Sequence, residues 1–306
     1  MSSALPGERL RPHVKAHKCT QLAAEQAALG HAGFTCATLA EMEGMARASL
    51  GTDLLLANEV ADATRLGALA RTGARVTVAV DSEATIDAAV AARVPEVVID
   101  VNVGLPRCGC RPEDAGALGD MARARGLTVR GVMGYEGHAV GLTDRDERTA
   151  LVRASMELLL AAHAQVGGEL VTAGGTGSYD INDWATEIQA GSYALMDTAY
   201  GALDLPFSQA LEVLATVISV APDWAVADCG LKALGMDHGN PSMKEGTVLF
   251  CSDEHVTFAP NERVRVGDRV HVLPAHIDPT VAYHEHLHVI DGEDVIERWP
   301  VDLRGW

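Results

Sequence analysis

From Arg11 to about residue 200 the chain alternates short, continuous apolar runs with alanine-rich stretches of helical spacing, and this alternation constrains the fold more than any other feature. Runs that are apolar throughout, rather than at every second position, belong to strands covered on both faces. Eight candidates follow one another: 11–18, 34–38, 53–58, 75–81, 96–103, 128–134, 169–174 and 186–193. Helical patterns at 20–29, 39–48, 61–71, 85–92, 112–125 and 144–165 separate them. Eight β–α alternations in one segment predict a (β/α)8 TIM-type barrel rather than an open sheet.

After about residue 205 the helical patterns give way to short valine-rich strands at 211–220, 224–229, 247–251, 255–258, 269–273, 287–290 and 294–299. Turn signals such as Asp291-Gly292 punctuate them. The expected organisation is a barrel over 1–205 and a small antiparallel β domain over 206–306.

Charge and composition narrow the partners. The 42 acidic residues against 24 basic ones leave a formal charge of -18, which repels phosphate backbones and argues against nucleic acid. No apolar run reaches the roughly 18 residues of a membrane helix, and the first residues show no secretion-signal apolar core. Six cysteines without a disulfide framework or a C-x-x-C pair point to reduced thiols and a cytoplasmic protein. The expected partner is therefore a small molecule.

Barrel chemistry gathers at the C-terminal ends of strands, with phosphate commonly bound after the seventh and eighth. The seventh run continues into Gly174-Gly175-Thr176-Gly177-Ser178, and the eighth into Gly191-Ser192-Tyr193. Such turns let backbone N–H groups, and here the hydroxyls of Thr176 and Ser178, point at an anion. Strand alternation places His13, Lys15 and His17 of the first run on one face. A lysine in a barrel mouth loses solvation, which lowers its pKa and frees the amine to condense with an aldehyde. A phosphate site and such a lysine together suggest pyridoxal 5'-phosphate. In the β domain, His276-Ile277-Asp278 reads as a strand end whose outer residues share a face. An imidazole and a carboxylate suit Mn²⁺, Mg²⁺, Co²⁺ or Zn²⁺. His284, His286 and His288 alternate along the next run as a polar face, with His284 nearest the turn.

The motifs R-P-H-V-K-A-H-K, G-G-T-G-S-Y-D, E-I-Q-A-G-S-Y-A-L-M-D and P-A-H-I-D-P-T occur in that order from Arg11 onward. Together they resemble the family of D-threonine aldolase, D-3-hydroxyaspartate aldolase and eukaryotic-type D-serine dehydratase, fold type III pyridoxal phosphate enzymes related to the alanine racemase barrel. The resemblance implies that Lys15 carries the cofactor and that Gly175, Thr176, Gly191, Ser192 and Tyr193 surround its phosphate. It implies Arg107, Tyr135 and His138 beside the cofactor, and His276 with Asp278 as the ligands of a divalent cation, Mn²⁺ or Mg²⁺ favoured over Zn²⁺. The dehydratase branch carries cysteine at the second ligand position, so Asp278 points to the aldolase branch. The implied reaction is cleavage of a D-β-hydroxy-α-amino acid to glycine and an aldehyde, with Lys15, His276 and Asp278 as the catalytic set. His13, His17 or His284 would serve as base, and the protein would be a homodimer. Dehydratase, racemase and non-catalytic carrier activities are the rival readings. Family members carry a further strand and helix before R-P-H, whereas ten residues precede Arg11 here, so the expectation is either a mis-assigned start or an under-covered first-strand edge. Asp228, Asp237 and His238 attract notice without a role.

Overall fold

The computed structural model describes residues 1–305. They form two compact units, residues 1–191 together with 302–305, and Ser192–Val301. The second unit thus includes residues 192–205, which the sequence pattern assigns to the barrel.

In the first unit, seven parallel strands follow one another across a single sheet: β1 (Gly33–Cys36), β2 (Asp53–Leu56), β3 (Val76–Val80), β4 (Glu96–Asp100), β5 (Thr128–Met133), β6 (Leu170–Ala173) and β7 (Glu187–Ile188). The segment from Leu10 to His13 closes the sheet on itself. Arg11 N–H donates to the Ile188 carbonyl at 2.9 Å and His13 N–H to that of Ala190 at 3.1 Å. On its other side Thr35 N–H donates to the Pro12 carbonyl at 2.9 Å. This segment stands in the place of an eighth strand, joined by isolated bridges of Leu10 to Ile188 and His13 to Thr35, and both of its flanks are hydrogen-bonded. The backbone of this edge is therefore paired on both sides.

Six helices cover the sheet: α1 (Thr20–Ala28), α2 (Leu39–Arg47), α3 (Thr64–Ala70), α4 (Glu83–Ala92), α5 (Ala115–Ala124) and α6 (Arg145–Val166). Local chemistry starts several of them. Thr38 and Glu41 form a reciprocal capping box for α2, Ser82 and Thr85 do so for α4, and Asp144 accepts from Glu147 N–H at the start of α6. Leu55, Ala79, Val98, Met133 and Leu170 pack together on the strands.

Below them, where the strands begin, an ion network replaces apolar packing. Asp53 accepts from Arg11 Nη2 at 2.8 Å and from Arg130 Nη1 at 2.8 Å. Glu187 pairs with Arg11 at 2.7 Å and Glu169 with Arg130 at 2.9 Å. Both arginines are 4 % exposed, so each guanidinium depends on these partners. Burial alone would raise the Asp53 carboxyl. The bonds and charges of Arg130 and Arg11 outweigh it and hold that carboxyl at about 2.

Asp302 and Leu303 complete this unit. Asp302 accepts from Thr20 N–H at 2.9 Å and from the Thr20 hydroxyl at 2.5 Å, at the start of α1, and Leu303 N–H donates to the Lys18 carbonyl at 3.0 Å. The Leu303 side chain lies against Gly44 so closely that a Cβ there would stand 2.2 Å from it.

The second unit opens with a short helix, α7 (Thr198–Gly201), and continues as β8 (Val213–Val220), β9 (Ala225–Ala227), β10 (Ser242–Met243), β11 (Gly246–Cys251), β12 (Val256–Pro260) and β13 (Arg269–Leu273). These strands pair antiparallel in the order β10-β13-β8-β9-β12-β11 around a core of Val217, Ala225, Val256, Phe258, Val270 and Val272. A helix, α8 (Ile277–Tyr283), precedes the hairpin of β14 (His286–Asp291) and β15 (Asp294–Pro300). The sequence reading of the chain after about residue 205 as free of helix is thus corrected at α8.

Among the described residues no helix is long and apolar enough to cross a membrane. The six cysteines form no disulfide.

Candidate active site

The chain of 11–18 leaves the sheet earlier than its pattern suggests. After the pairing at His13, Val14–Ala16 form a 3-10 turn, and Lys18 takes a left-handed φ of 46°. The expected shared face of His13, Lys15 and His17 is lost, because a 3-10 turn rotates successive side chains apart. Lys15 is exposed on this turn, its N–H donating to His13 Nδ1 at 3.4 Å. His17 is 0 % exposed, with Nδ1 accepting from Cys19 N–H at 3.2 Å and Nε2 3.2 Å from Gln26 Oε1. That pattern calls for the neutral tautomer protonated on Nε2 and removes His17 from the candidate bases. Lys18 pairs instead with the buried Glu41.

The end of the barrel where this turn lies brings the other first-unit candidates together. Gly191 follows β7 and presses on the lysine turn. A Cβ there would stand 2.5 Å from the His13 carbonyl oxygen and 3.1 Å from Ala16 Cβ, so only glycine permits the approach. Arg107 lies in the loop after β4, with its guanidinium 5.3 Å from the centroid of the Tyr135 ring. Asn102 shapes that loop, donating to the Leu105 carbonyl at 2.7 Å and accepting from Gly104 N–H at 3.0 Å. Tyr135 in turn lies beside Gly175, where an added Cβ would be 3.6 Å from the ring. His138 packs over Gly104, and its buried Nδ1 has no hydrogen-bond partner.

The turn after β6 is built differently from its sequence reading. Gly174 has a φ of +80°. The hydroxyl of Ser178, which the sequence offers to an anion, donates to Glu136 Oε1 at 2.8 Å and accepts from Gly175 N–H at 3.2 Å. Ser178 is 0 % exposed, so its hydroxyl organises the turn and is not an anion ligand. Glu136 Oε2 accepts from Gly174 N–H at 3.1 Å, and Oε1 also accepts from Asn182 Nδ2 at 3.2 Å. Glu136 lies inside the G-Y-E-G-H motif, yet nothing local in the sequence marks it as the partner of a turn some forty residues on.

In the second unit, Ser192 and Tyr193 form another 3-10 turn, and the Tyr193 ring lies 5.9 Å from that of Phe207. His276 stands at the N-terminus of α8 and not on a strand end, a correction with a clear cause. Asp197 Oδ2 accepts from Ile277 N–H at 3.1 Å while its Oδ1 accepts from Tyr200 N–H at 2.9 Å, so one buried carboxylate starts both α7 and α8. Its own carboxyl is pushed up by burial, which these N–H groups only partly offset. Pro279 is tolerated because the first helical turn needs no N–H partner.

The helix start still places His276 Nε2 3.6 Å from Asp278 Oδ2. Two donors about 2.1 Å from one ion at near-octahedral or tetrahedral angles stand about 3.0–3.5 Å apart, so only a slight closure of this pair would let it grip a divalent cation. Asp237 and His238 join them. Gly235 pairs with His276, its N–H donates to Thr280 Oγ1 at 2.8 Å, and a Cβ on it would sit 2.3 Å from Pro279. This contact carries Asp237 Oδ2 to 2.7 Å from His276 Nδ1, and stacks the His238 ring on that of His276 at 4.0 Å and 7°.

Asp237, His238 and His276 form the one group of three potential ligands among the described residues. Parallel stacked imidazoles, however, direct their in-plane lone pairs side by side and cannot converge on one ion. Asp237 therefore orients His276 from behind and leaves Nε2 toward Asp278. Burial lowers the His276 pKa, but Asp278 and Asp237 outweigh it and leave it raised. His284, expected on a strand face with His286 and His288, instead ends α8 with Nε2 2.9 Å from the Ala233 carbonyl, to which it donates. That commitment argues against its serving as ligand or base.

A parallel barrel with glycine turns after its last strands, joined to an antiparallel unit that carries an imidazole–carboxylate pair, defines the class of racemase-type barrel proteins with a second β domain. Residues 1–198 match the alanine racemase N-terminal domain, and residues 210–290 match a putative serine dehydratase domain. The chain is 34% identical to D-threonine aldolase of an Arthrobacter species, over 97% of this chain and 86% of that protein. It is 33% identical to 3-hydroxy-D-aspartate aldolase of Paracoccus denitrificans, over 98% and 86%. The crystal structure of D-threonine aldolase from Filomicrobium marinum superposes with a TM-score of 0.90 at 34% identity, over 99% of this chain and 89% of that one. The chain belongs to the family that these D-β-hydroxy-amino-acid aldolases represent.

Proposed function

We propose that the protein is a pyridoxal phosphate- and divalent-metal-dependent lyase that cleaves D-β-hydroxy-α-amino acids, of the D-threonine or D-3-hydroxyaspartate type, to glycine and an aldehyde. The observation that carries the aldolase reading is the His276–Asp278 pair, a nitrogen and an oxygen donor 3.6 Å apart with no thiol in the group around them. A borderline imidazole with a hard carboxylate and no thiolate suits Mn²⁺ or Mg²⁺, with Zn²⁺ also accommodated.

The barrel residues fit the cofactor. His138 Nδ1 is a buried polar atom without a protein partner, Gly191 keeps the lysine turn close, and Arg107 with Tyr135 forms a cationic and aromatic wall. When bound, pyridoxal phosphate supplies the electron sink for Cα–Cβ cleavage, and the cation a positive charge for the β-hydroxyl oxygen. Lys15 presents Nζ from its exposed turn as the covalent anchor for the cofactor. Thr176, Gly191, Ser192 and Tyr193 would hold its phosphate; Gly175, whose N–H is given to Ser178, would only let the backbone come close, and Arg107 and Tyr135 would lie along its ring. His276 Nε2 and Asp278 hold the cation, and Asp237 keeps the His276 proton on Nδ1. His13, half-buried next to Lys15, is the strongest remaining candidate to take the β-hydroxyl proton. The bond broken is Cα–Cβ: that proton leaves the hydroxyl oxygen, Cα regains one, and the halves depart as aldehyde and glycine. The reading also includes a cytoplasmic homodimer, with the barrel carrying the cofactor and the C-terminal β domain the metal.

The test is turnover of D-threonine with pyridoxal phosphate and Mn²⁺, followed as glycine plus acetaldehyde. Lys15→Ala should remove both the cofactor's visible absorbance and the products, and a chelator should remove the products alone. A keto acid and ammonia in place of glycine would move the assignment to a dehydratase. Sedimentation of the holoenzyme reads the oligomeric state.

A further inference from the structure

We infer that Glu136 is a positioning residue for the cofactor phosphate, acting through the turn from Gly174 to Ser178; the inference rests on the cofactor reading above. Glu136 is 0 % exposed, and among the described residues no lysine or arginine pairs with it. Its charge is satisfied by neutral donors alone, and these belong to one short stretch of chain: Gly174 N–H, the Ser178 hydroxyl and Asn182 Nδ2. One carboxylate thereby fixes both ends of the glycine turn. Ser178 then passes the constraint inward, its oxygen accepting Gly175 N–H and its own N–H donating to the Gly175 carbonyl at 3.2 Å.

The outer side of the turn is fixed as well, since a Cβ on Gly177 would stand 1.8 Å from the Val140 carbonyl oxygen. Thr176 and Gly177 are left at the apex of a turn that cannot slide in either direction. Glu136 itself does not meet the phosphate: both its oxygens are used from behind, and two anions would repel.

Glu136→Gln tests this with little change in size. Whichever way the amide is turned, its NH₂ faces either the Gly174 N–H or the donors of Ser178 and Asn182, so at least one bond that shapes the turn is lost. An unmade buried bond of this kind changes an equilibrium by roughly tenfold.

The measurement is the dissociation constant of the full chain for pyridoxal phosphate and for pyridoxal, read from visible absorbance. Pyridoxal shares the ring and aldehyde and lacks the phosphate. Wild type should bind the phosphate form more tightly, and Glu136→Gln should lose about tenfold or more for that form while its affinity for pyridoxal stays within about twofold. Equal loss for both compounds, or loss for neither, overturns the inference. A wild type that does not distinguish the two overturns the phosphate reading itself, and this inference with it. Should Glu136→Gln fail to fold, Ser178→Ala decides. It keeps the carboxylate with its Gly174 and Asn182 bonds, removes the link to Gly175, and should lose several-fold for pyridoxal phosphate alone.

Discussion

Asp53→Asn should weaken the barrel and leave its chemistry intact, because Asp53 begins β2 at the end of the sheet away from the lysine turn. The carboxylate bridges two guanidiniums, each 4 % exposed. Removing one partner of a buried ion pair costs about 3–5 kcal/mol. Here the loss falls at the lower end, since Arg11 keeps Glu187, Arg130 keeps Glu169, and asparagine keeps one acceptor oxygen.

The carboxyl's own titration gives an independent figure. A group held at about 2 instead of 3.8 corresponds to about 2.4 kcal/mol, trimmed to about 2 because Asp53 is 19% exposed. The two routes agree on about 2–3 kcal/mol, or a melting point lower by about 5–10 °C. The sign follows from linkage. A carboxyl depressed in the folded state stabilises fully above the ordinary carboxylate value near 4, and that stability is lost as pH falls toward about 2.

Urea unfolding followed by circular dichroism, on both proteins at neutral pH and through the acid range, reads the gap. It should be full at neutral pH and close between pH about 4 and about 2. A neutral-pH gap below about 1 kcal/mol, or one that stays constant with acid, would refute the reasoning.

Two further outcomes are expected. Gly191→Ala should cost about 1–3 kcal/mol and slow cofactor incorporation, because its Cβ would press on the backbone of the lysine turn at 2.5 Å; unchanged melting and unchanged incorporation would count against the close approach. Asp237→Ala should weaken Mn²⁺ binding to the holoenzyme, measured by calorimetry, by about 10-fold or more, because His276 loses the carboxylate that holds its Nδ1–H. Affinity equal to wild type would mean that His276 needs no such support.

The barrel was legible in the sequence because its strands are largely apolar on both faces and alternate with stretches of helical spacing. The first strand misled because R-P-H-V-K-A-H-K looks extended, whereas the chain turns at Val14 to direct Lys15 outward and bury His17. The α8 helix stayed hidden because it is short, contains Pro279 and draws its start from Asp197, eighty residues earlier. Lys15, His276 and Asp278 could be named from motifs. Asp237 drew notice there without a role, and Glu136 and Asn102 were not singled out, since each acts through a bond to distant chain or to backbone, and such bonds leave no periodic trace.

The return of the chain at Asp302 and Leu303 has a consequence for biosynthesis. The second unit is an insertion in the first, so a ribosome releases all of 1–191 before the residues that cap α1 and fill the hollow over Gly44 have been made. The nascent barrel waits with an uncapped helix and an empty groove while more than a hundred further residues emerge. Its last stabilising contacts form only when translation has passed the β domain, so a prematurely terminated chain carries a weaker barrel and is open to proteolysis. The first unit is in this sense completed by residues made after the second.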